Sequence, residues 1–392
     1  MTDRSSLFAP AIDAGQAPFL ARVQARWREV RFERGERDIH HAIRALADGD
    51  ALGPELAARV FEQITAGEED ELDVAAFLIG TAPDALAPAT IAACAGVMRA
   101  RAHRIRPQVS GPLADTCGTG GDGFKTLNVS TAAALVLVSC GVPVAKHGNR
   151  AITSSCGSAD VLEAMGVAID LEPEHVTRVI ERAEIGFLFA PRFHPSMRFV
   201  QPVRRQLANE GHAIGRSLKT VFNVLGPLTN PADAAIQIVG VYAAELVEPV
   251  ARALAALGLA RGLVVHGAGP GGEAMDEISP FGPTLAAAIA PDGSVRRLEL
   301  DPGELGVRAV APDRVAPADT VAANAERVRA ILGGADDPAR ELIALNAGAA
   351  LWIADRAADL RSGLVDARNE LRSGRPLQCL ERLVEAAPRQ AP

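Results

Sequence analysis

Positive charge is not in excess in this 392-residue chain. Forty Lys and Arg stand against 48 Asp and Glu, a net charge of −8. An acidic chain offers no general field for wrapping a nucleic acid, which leaves only a local basic patch for that purpose. Cysteine is scarce. The five residues Cys94, Cys117, Cys140, Cys156 and Cys379 form no CxxC pair, and an odd number cannot complete a disulfide framework. Reduced thiols in a cytoplasmic protein are the expectation. No uninterrupted apolar run reaches the length of a membrane span. The start "MTDRSSLFAPAIDAG" lacks the basic and then apolar order of a signal peptide. Aromatics make up only 4% of the residues, with a single tyrosine. Because Ala, Gly, Arg and Val are plentiful, this reflects genome composition and not chemistry. Internal repeats and low-complexity tracts are also missing.

What is present fits a soluble globular protein, with 48% hydrophobic and 22% charged residues. The length calls for two domains, or for one large domain with an appended lobe. Residues 1–36 read as an extension. Six arginines lie between Arg22 and Arg37, interleaved with Glu29, Glu33 and Glu36. A nucleic-acid arm and a solvated helix face compete there, and the interleaved acids favour the face. Residues 37–107 read as helices with no strand. "DIHHAIRALADG" and "GPELAARVFEQITAG" each end in the glycine that suits a helix C-terminus. From about 112 short apolar runs of strand length (142–148, 185–190, 235–242 and 261–267) alternate with helical patterns at 158–166, 173–184 and 243–257. That alternation implies parallel βαβ units. Ser158 is a candidate N-cap. "RPQVSGPLADTC" reads as a poor strand, and the C-terminal third reads as helices again.

The stretch "DTCGTGGDGFKTLNVSTAAA" (115–134) carries the first chemical signal. Gly118, Gly120 and Gly123 match G-x-G-x-x-G literally. A dinucleotide fingerprint would need a good preceding strand and an acid at the next strand end, and a Walker loop would need G-K-[ST]. Consecutive glycines still let backbone N–H groups converge on a phosphate. Asn128, Ser130 and Thr131 stand at the start of the following helix, where unpaired N–H groups favour a second anion. Asp122 would repel phosphate unless it met a metal or a sugar hydroxyl. The loop therefore suits a phosphorylated sugar, although a structural turn with a helix cap would look similar.

Two further clusters follow. "AKHGNRAITSSCGSAD" (145–160) ends a strand with Lys146, His147 and Asn149, then supplies Ser154, Ser155 and Ser158. "MDEIS" (275–279) sets Asp276 beside Glu277, a pair that suits Mg²⁺ together with substrate phosphates. Taken alone, it reads as a solvated acidic turn. A phosphate cradle, a lysine and a carboxylate pair fit magnesium-assisted chemistry on a diphosphate.

In this order, "DTCGTGGDGFKTLNVST", "AKHGNRAITSSCGSADVLEAMGV", "GFLFAPRFHPSMRFVQPVRRQL", "TVFNVLGPLTNPA" and "MDEIS" resemble the anthranilate phosphoribosyltransferase family over most of 37–390. The resemblance implies an α/β protein: a small all-helical N-terminal lobe (37–107, joined in space by a helix near 193–213) on a large α/β domain (108–392) with a mostly parallel central sheet. It implies a homodimer formed through the helical lobes. It also implies phosphoribosyl pyrophosphate (PRPP) held by Gly118, Gly121, Asp122, Asn128, Ser130, Thr131, Lys146 and Ser158. Mg²⁺ would lie on Ser130, Asp276 and Glu277. The acceptor anthranilate would meet Asn149, His147, His194, Arg204 and Gly226, with Arg204 near its carboxylate. No residue is assigned as a general base. The activity implied is transfer of the phosphoribosyl group with release of pyrophosphate, in tryptophan biosynthesis.

Four features depart from that family's pattern. They are the arginine-rich extension, "LIGTAPDALAPATIA" (78–92) where the family carries a basic-Lys-Gly-Glu stretch, an insertion at about 208–218 followed by Lys219 in place of arginine, and the lengthened loop "GAGPGGEA". A paralogue with another aromatic or heteroaromatic acceptor would show such changes around an intact cradle. A non-catalytic nucleic-acid-binding relative is the alternative from another class. Nucleoside phosphorylases share the architecture but carry a KHSTGG-like stretch where this chain has KHGNR.

Overall fold

The computed structural model describes residues 12–32, 37–151 and 156–387. Ser154 and Ser155 lie outside the described residues. The chain opens with helices α1 (Pro18–Phe32), α2 (Asp38–Asp48), α3 (Pro54–Ala66), α4 (Glu71–Gly80) and α5 (Pro88–Ala100). Strand β1 (Ala114–Gly118), helix α6 (Val129–Ser139) and strand β2 (Val144–Gly148) follow, then α7 (Ser158–Ala164), α8 (Pro173–Ala183) and β3 (Ile185–Phe189). After the short α9 (Ala190–Phe193) come α10 (Gln201–Ala213) and α11 (Phe222–Leu225). Next are β4 (Ile236–Gly240), α12 (Val247–Ala256), β5 (Arg261–Ala268), β6 (Ala274–Met275), β7 (Thr284–Ile289) and β8 (Val295–Leu300). Helices α13 (Val321–Leu332), α14 (Arg340–Ile353), α15 (Leu360–Ser373) and α16 (Arg375–Ala386) complete the chain.

These elements form two compact units. The first is built from Met1–Ala102 and His194–Thr229, the second from His103–Phe193 and Asn230–Pro392. Each unit is therefore made of two separate chain segments.

The first unit is helical among its described residues. Helices α2 and α3 end as their sequences suggest, on Gly49 and Gly67 in the left-handed conformation, each donating back to the last turn. The extension is not merely a solvated arginine face. Helix α1 buries Phe19, Leu20, Val23, Trp27 and Val30, each worth about 1.5–3 kcal/mol when fully removed from water. It packs on α2, α4 and α10. Arg26 reaches inward from it: its Nε donates to Asp73 Oδ1 at 2.6 Å. Arg37 donates to Asp73 Oδ2 at 3.1 Å, and His40 Nε2 lies 2.9 Å from the same oxygen. Burial pushes the Asp73 carboxyl up, but hydrogen bonds from Arg26 and His40 outweigh it and hold the group below its ordinary value.

The second unit is an α/β structure around a mixed, mostly parallel sheet. Its strand order is β3-β2-β1-β4-β5-β7-β8, with β6 on β5. Strands β1 to β5 run parallel, and β6, β7 and β8 pair antiparallel. Two sequence expectations fail here. The poor strand is β1, and it lies inside the sheet, because hydrogen bonds to β2 and β4 on both sides override its weak propensity. The C-terminal third is not purely helical, since β7 and β8 form an antiparallel pair joined by a turn at Asp292–Gly293. Helix α6 is buried all round, as its Ala-rich sequence requires, and packs on β1, β2, α14 and α16.

Candidate active site

Strand β1 lies between β2 and β4, so the chain order reverses around it. In open α/β sheets ligands bind beyond the carboxyl ends of the strands at such a reversal. The glycine loop leaves β1 at that point. Gly120 and Gly121 take φ values of 64° and 78°, which only glycine adopts cheaply. Gly118 and Gly240 face each other in register at the ends of β1 and β4. A β-carbon on Gly118 would lie 2.3 Å from Asp276 Oδ2. The two bare strand ends are what let the Asp276 segment cross them. The Gly120 N–H then donates to Asp276 Oδ2 at 2.7 Å. The carboxylate pair of one motif is thus fixed by the glycine loop of another.

The charges in the loop are arranged to tolerate an anion. Asp122 accepts from Lys125 Nζ at 2.8 Å, which answers the repulsion expected from a carboxylate in a phosphate loop. Glu277 Oε2 accepts from Thr126 Oγ1 at 2.9 Å. Burial, then repulsion from Asp122, pushes the Asp276 carboxyl up to about 6. Burial, then the neighbouring Asp276, pushes Glu277 well above the usual carboxylate range. Two adjacent hard oxygen donors, both pushed up by burial, fit Mg²⁺. Among the described residues no group of three or more His, Cys, Asp and Glu side chains could hold a metal by itself.

Lys146 is buried on β2. Its Nζ donates to Thr116 O at 2.6 Å and to Ser130 Oγ at 3.3 Å. Of its three N–H groups one is left over among the described residues. Burial pulls its pKa down, and the charge of Asp115 pulls it back up. Asp115 is buried too, and burial pushes its carboxyl up against the favourable charge of Lys146. Asn230 Nδ2 donates to Asp115 Oδ2 at 2.8 Å and ties it to Ala145 O. Thr131 Oγ1, near the start of α6, is buried with no hydrogen-bond partner among the described residues, and a buried hydroxyl in that state gains from a ligand acceptor.

Asn128 is held from two sides. Its Oδ1 accepts from Asn324 Nδ2 of α13 at 2.6 Å, and its Nδ2 donates to Cys156 O at 3.2 Å. Ser158 is not the N-cap of α7. Gly157 takes that place, and Ser158 is the first helical residue. Asp160 Oδ2 gathers the chain there by accepting from Ala151 N and Gly157 N. Ser158 Oγ comes close to β2 because residue 148 is glycine, where a β-carbon would lie 2.3 Å from that oxygen.

The second unit therefore brings together Gly118, Gly121, Asp122, Asn128, Ser130, Thr131, Lys146, Ser158, Asp276 and Glu277 around the ends of β1, β2 and β4. The residues proposed for the acceptor are divided. His147 and Asn149 belong to this unit, and His147 points to the opposite face of the sheet from Lys146, as adjacent strand residues must. His194, Arg204 and Gly226 belong to the first unit. Arg204 sits on α10 with its guanidinium over Phe222, 5.1 Å from the ring centre. It donates to Gln201 Oε1 at 3.4 Å and meets no carboxylate among the described residues. Burial pulls its pKa down to about 10. Gly226 has φ −50°, and a β-carbon there would meet nothing within 4 Å. Neither backbone nor packing demands glycine at that position. Sequence reasoning missed Asp115, Lys125, Thr126, Asp160, Asn230, Gly240 and Asn324. Asp115, Lys125 and Thr126 stood inside the quoted glycine stretch, but Asn324 carried no local signal.

Comparison with known proteins agrees across the two units. Residues 110–377 match the α/β domain of the glycosyl transferase family, and residues 40–102 match its helical bundle domain. The anthranilate phosphoribosyltransferase of Roseiflexus sp. (strain RS-1) is 46% identical over 347 residues, which are 88% of this chain and 97% of that one. That of Rubrobacter xylanophilus is 45% identical over 90% of this chain and 98% of its own. The crystal structure of the anthranilate phosphoribosyltransferase of Thermus thermophilus has a TM-score of 0.78, with 39% identity over 88% of this chain and 99% of that one. The Saccharomyces cerevisiae enzyme in complex with PRPP and Mg has the same fold, with a TM-score of 0.74 at 24% identity over 89% of this chain and 97% of that one.

Proposed function

The chain belongs to the anthranilate phosphoribosyltransferase family of glycosyl transferases, and on that premise we propose that it transfers the phosphoribosyl group of PRPP to anthranilate and releases pyrophosphate. The observation that carries this reading is the joining of the glycine loop to the carboxylate pair through Gly120 and Asp276. It supports a diphosphate site with a cation beside it.

The residue roles that follow are part of this proposal. The Gly121 N–H and the N–H groups at the start of α6 meet the phosphates, with Asn128, Ser130, Thr131 and Ser158 adding polar side chains, while the Gly120 N–H stays on Asp276. Lys146, fixed by Thr116 and Ser130, offers its remaining N–H and its charge to the phosphates. Asp276 and Glu277, with Ser130, would hold magnesium. When bound, that ion offsets the charge that grows on the departing diphosphate. The anomeric carbon becomes oxocarbenium-like as that group leaves, so a strong nucleophile is not required. An aromatic amine is already neutral at pH 7, and placement contributes more than proton removal. No general base is needed. Arg204, a guanidinium that meets no carboxylate among the described residues, suits the carboxylate of the acceptor. His147, Asn149, His194 and Gly226 complete the proposed acceptor set.

The division into an extension (1–36), a helical lobe (37–107, with 193–213) and an α/β part (108–392) belongs to the same proposal. So do a homodimer and a cytoplasmic location. Among the described residues no helix is long and apolar enough to cross a membrane. The test is loss of anthranilate fluorescence on mixing the protein with PRPP and Mg²⁺, with PRPP omitted as control. PRPP-dependent loss supports the reading. PRPP binding without loss would move the acceptor to another aromatic compound.

A further inference from the structure

Three stretches that depart from the family pattern meet within the first unit. They are the extension, the altered stretch that begins at the end of α4, and the insertion near 208–218. Helix α1 lies outside both segments matched by the family, since the first of these begins at residue 40. Trp27 of α1 seats over Gly80 of α4, where a β-carbon would lie 2.7 Å from the Trp27 ring. The insertion is not a free loop. Its first residues extend α10 to Ala213, and the chain then folds back so that Arg216 N donates to Gly211 O at 2.8 Å.

The link between the insertion and the extension is Glu210. Its Oε1 accepts from Phe19 N at 3.2 Å and its Oε2 from Leu20 N at 2.8 Å. Helix α1 has no acidic residue in its own first turn. Pro18 at its first position has no N–H to give, so Phe19 and Leu20 are the first donors left open. A carboxylate at this end also meets the positive pole of the helix. The cap of α1 is thus supplied by α10, the helix that carries Arg204. The outer part of α10 has little else to hold it. Beyond Leu207 its only buried residue is Gly211, and glycine is a poor helix former.

We propose that Glu210 is a positioning residue: by capping α1 it braces α10 and thereby sets the placement of Arg204 and the affinity for the acceptor. The inference rests on the reading of Arg204 given above. Helix α1, docked through Trp27 on α4 and through Arg26 on Asp73, is the anchor, and Glu210 is the tie.

The test uses the full chain with Glu210→Ala and Glu210→Gln. Steady-state constants are measured for anthranilate and for PRPP, and hydrogen–deuterium exchange is followed over residues 201–213 without substrates. The alanine variant is expected to raise the anthranilate KM about tenfold, while kcat and the PRPP KM stay within about twofold. Exchange in α10 should quicken. Glutamine keeps an acceptor oxygen and should restore part of both effects. Exchange that quickens in α1 alone overturns the brace. An unchanged anthranilate KM with a loosened α10 overturns its effect on the acceptor. If the wild-type protein does not consume anthranilate with PRPP, the functional reading has failed, and the exchange result still decides whether Glu210 braces α10.

Discussion

Gly240 and Asp276 approach so closely that a β-carbon on Gly240 would fall 1.5 Å from the Asp276 carbonyl oxygen. The backbone of the carboxylate pair lies directly on the end of β4. Gly240→Ala must therefore push that segment away, because the atom in the way is backbone and cannot rotate aside. With its carboxylates displaced, turnover should fall by about 10²-fold. The far-ultraviolet circular dichroism should be unchanged. Kinetics at saturating Mg²⁺ check this, and wild-type turnover would mean that the segment can slide without cost.

Asp276→Asn should act in opposite directions on stability and activity. The carboxyl is pushed up to about 6 by burial and by Asp122. A carboxyl raised in the folded state destabilises the protein once it ionises, and a neutral amide removes that burden while its oxygen can still accept from Gly120. Without ligands at pH 7.5 the variant should melt a few degrees higher than the wild type. Its magnesium-dependent turnover should fall by about 10²-fold. Thermal scans with and without Mg²⁺ and PRPP measure both signs, and a lower melting temperature in the ligand-free variant would contradict the account.

Asn324→Ala tests a residue remote in sequence. Its Nδ2 donates to Asn128 Oδ1, and its own Oδ1 accepts from Ala318 N at 3.2 Å. Removing it takes these hydrogen bonds from two half-buried partners, at about 0.5–1.5 kcal/mol each. Asn128 also loses its orientation, so the PRPP KM should rise about tenfold, one factor of ten being about 1.4 kcal/mol. The anthranilate KM should change much less. Equal changes in both would assign Asn324 to folding alone.

Acid should weaken the helical unit through Asp73. Its carboxyl titrates below the ordinary aspartate value because the bonds from Arg26 and His40 outweigh burial. A depressed carboxyl contributes stability that is fully present above the unfolded value, near 3.8, and is lost as pH falls through the lower folded value. Asp73→Asn takes from Arg26 the buried carboxylate to which its Nε donates, leaving it Glu29 at 3.6 Å. At pH 7 it should cost about 3–5 kcal/mol, as breaking a buried pair does. The variant should also show a flatter loss of melting temperature between pH 5 and pH 3, within the window set by the ordinary value of about 3.9. A slope equal to that of the wild type would show that other carboxylates dominate acid unfolding.

How far the sequence could be read depended on whether the cause lay near in the chain. Gly49 and Gly67 announce the ends of α2 and α3 because a left-handed residue after an apolar period is a local event. Strands β2 to β5 were legible as short apolar runs. Strand β1 was not, since "ADTCG" owes its conformation to neighbours on both sides. Its Asp115 is a poor strand residue whose buried carboxylate is balanced by Asn230, 115 positions away. The glycine loop showed its purpose in its composition, but Lys125 as the partner of Asp122 did not stand out. Asn324 and Glu210 were invisible for one shared reason: each acts on a residue about 190 positions distant.

That distance has a consequence for how the chain matures. Synthesis runs from the amino terminus, so α1 leaves the ribosome long before Glu210 exists. Phe19 and Glu210 stand 191 positions apart. A length of that size takes on the order of 10–40 s to make at about 5–20 residues per second. In that interval Leu20, Val23 and Trp27 can settle on α2 and α4, but the leading turn of α1 keeps its open donors. The segment that closes them arrives only after residues 103–193, which belong to the other unit, have been made. The first part of the protein to be born is therefore among the last to be finished, and nascent chains arrested before residue 210 should remain open to proteases at α1.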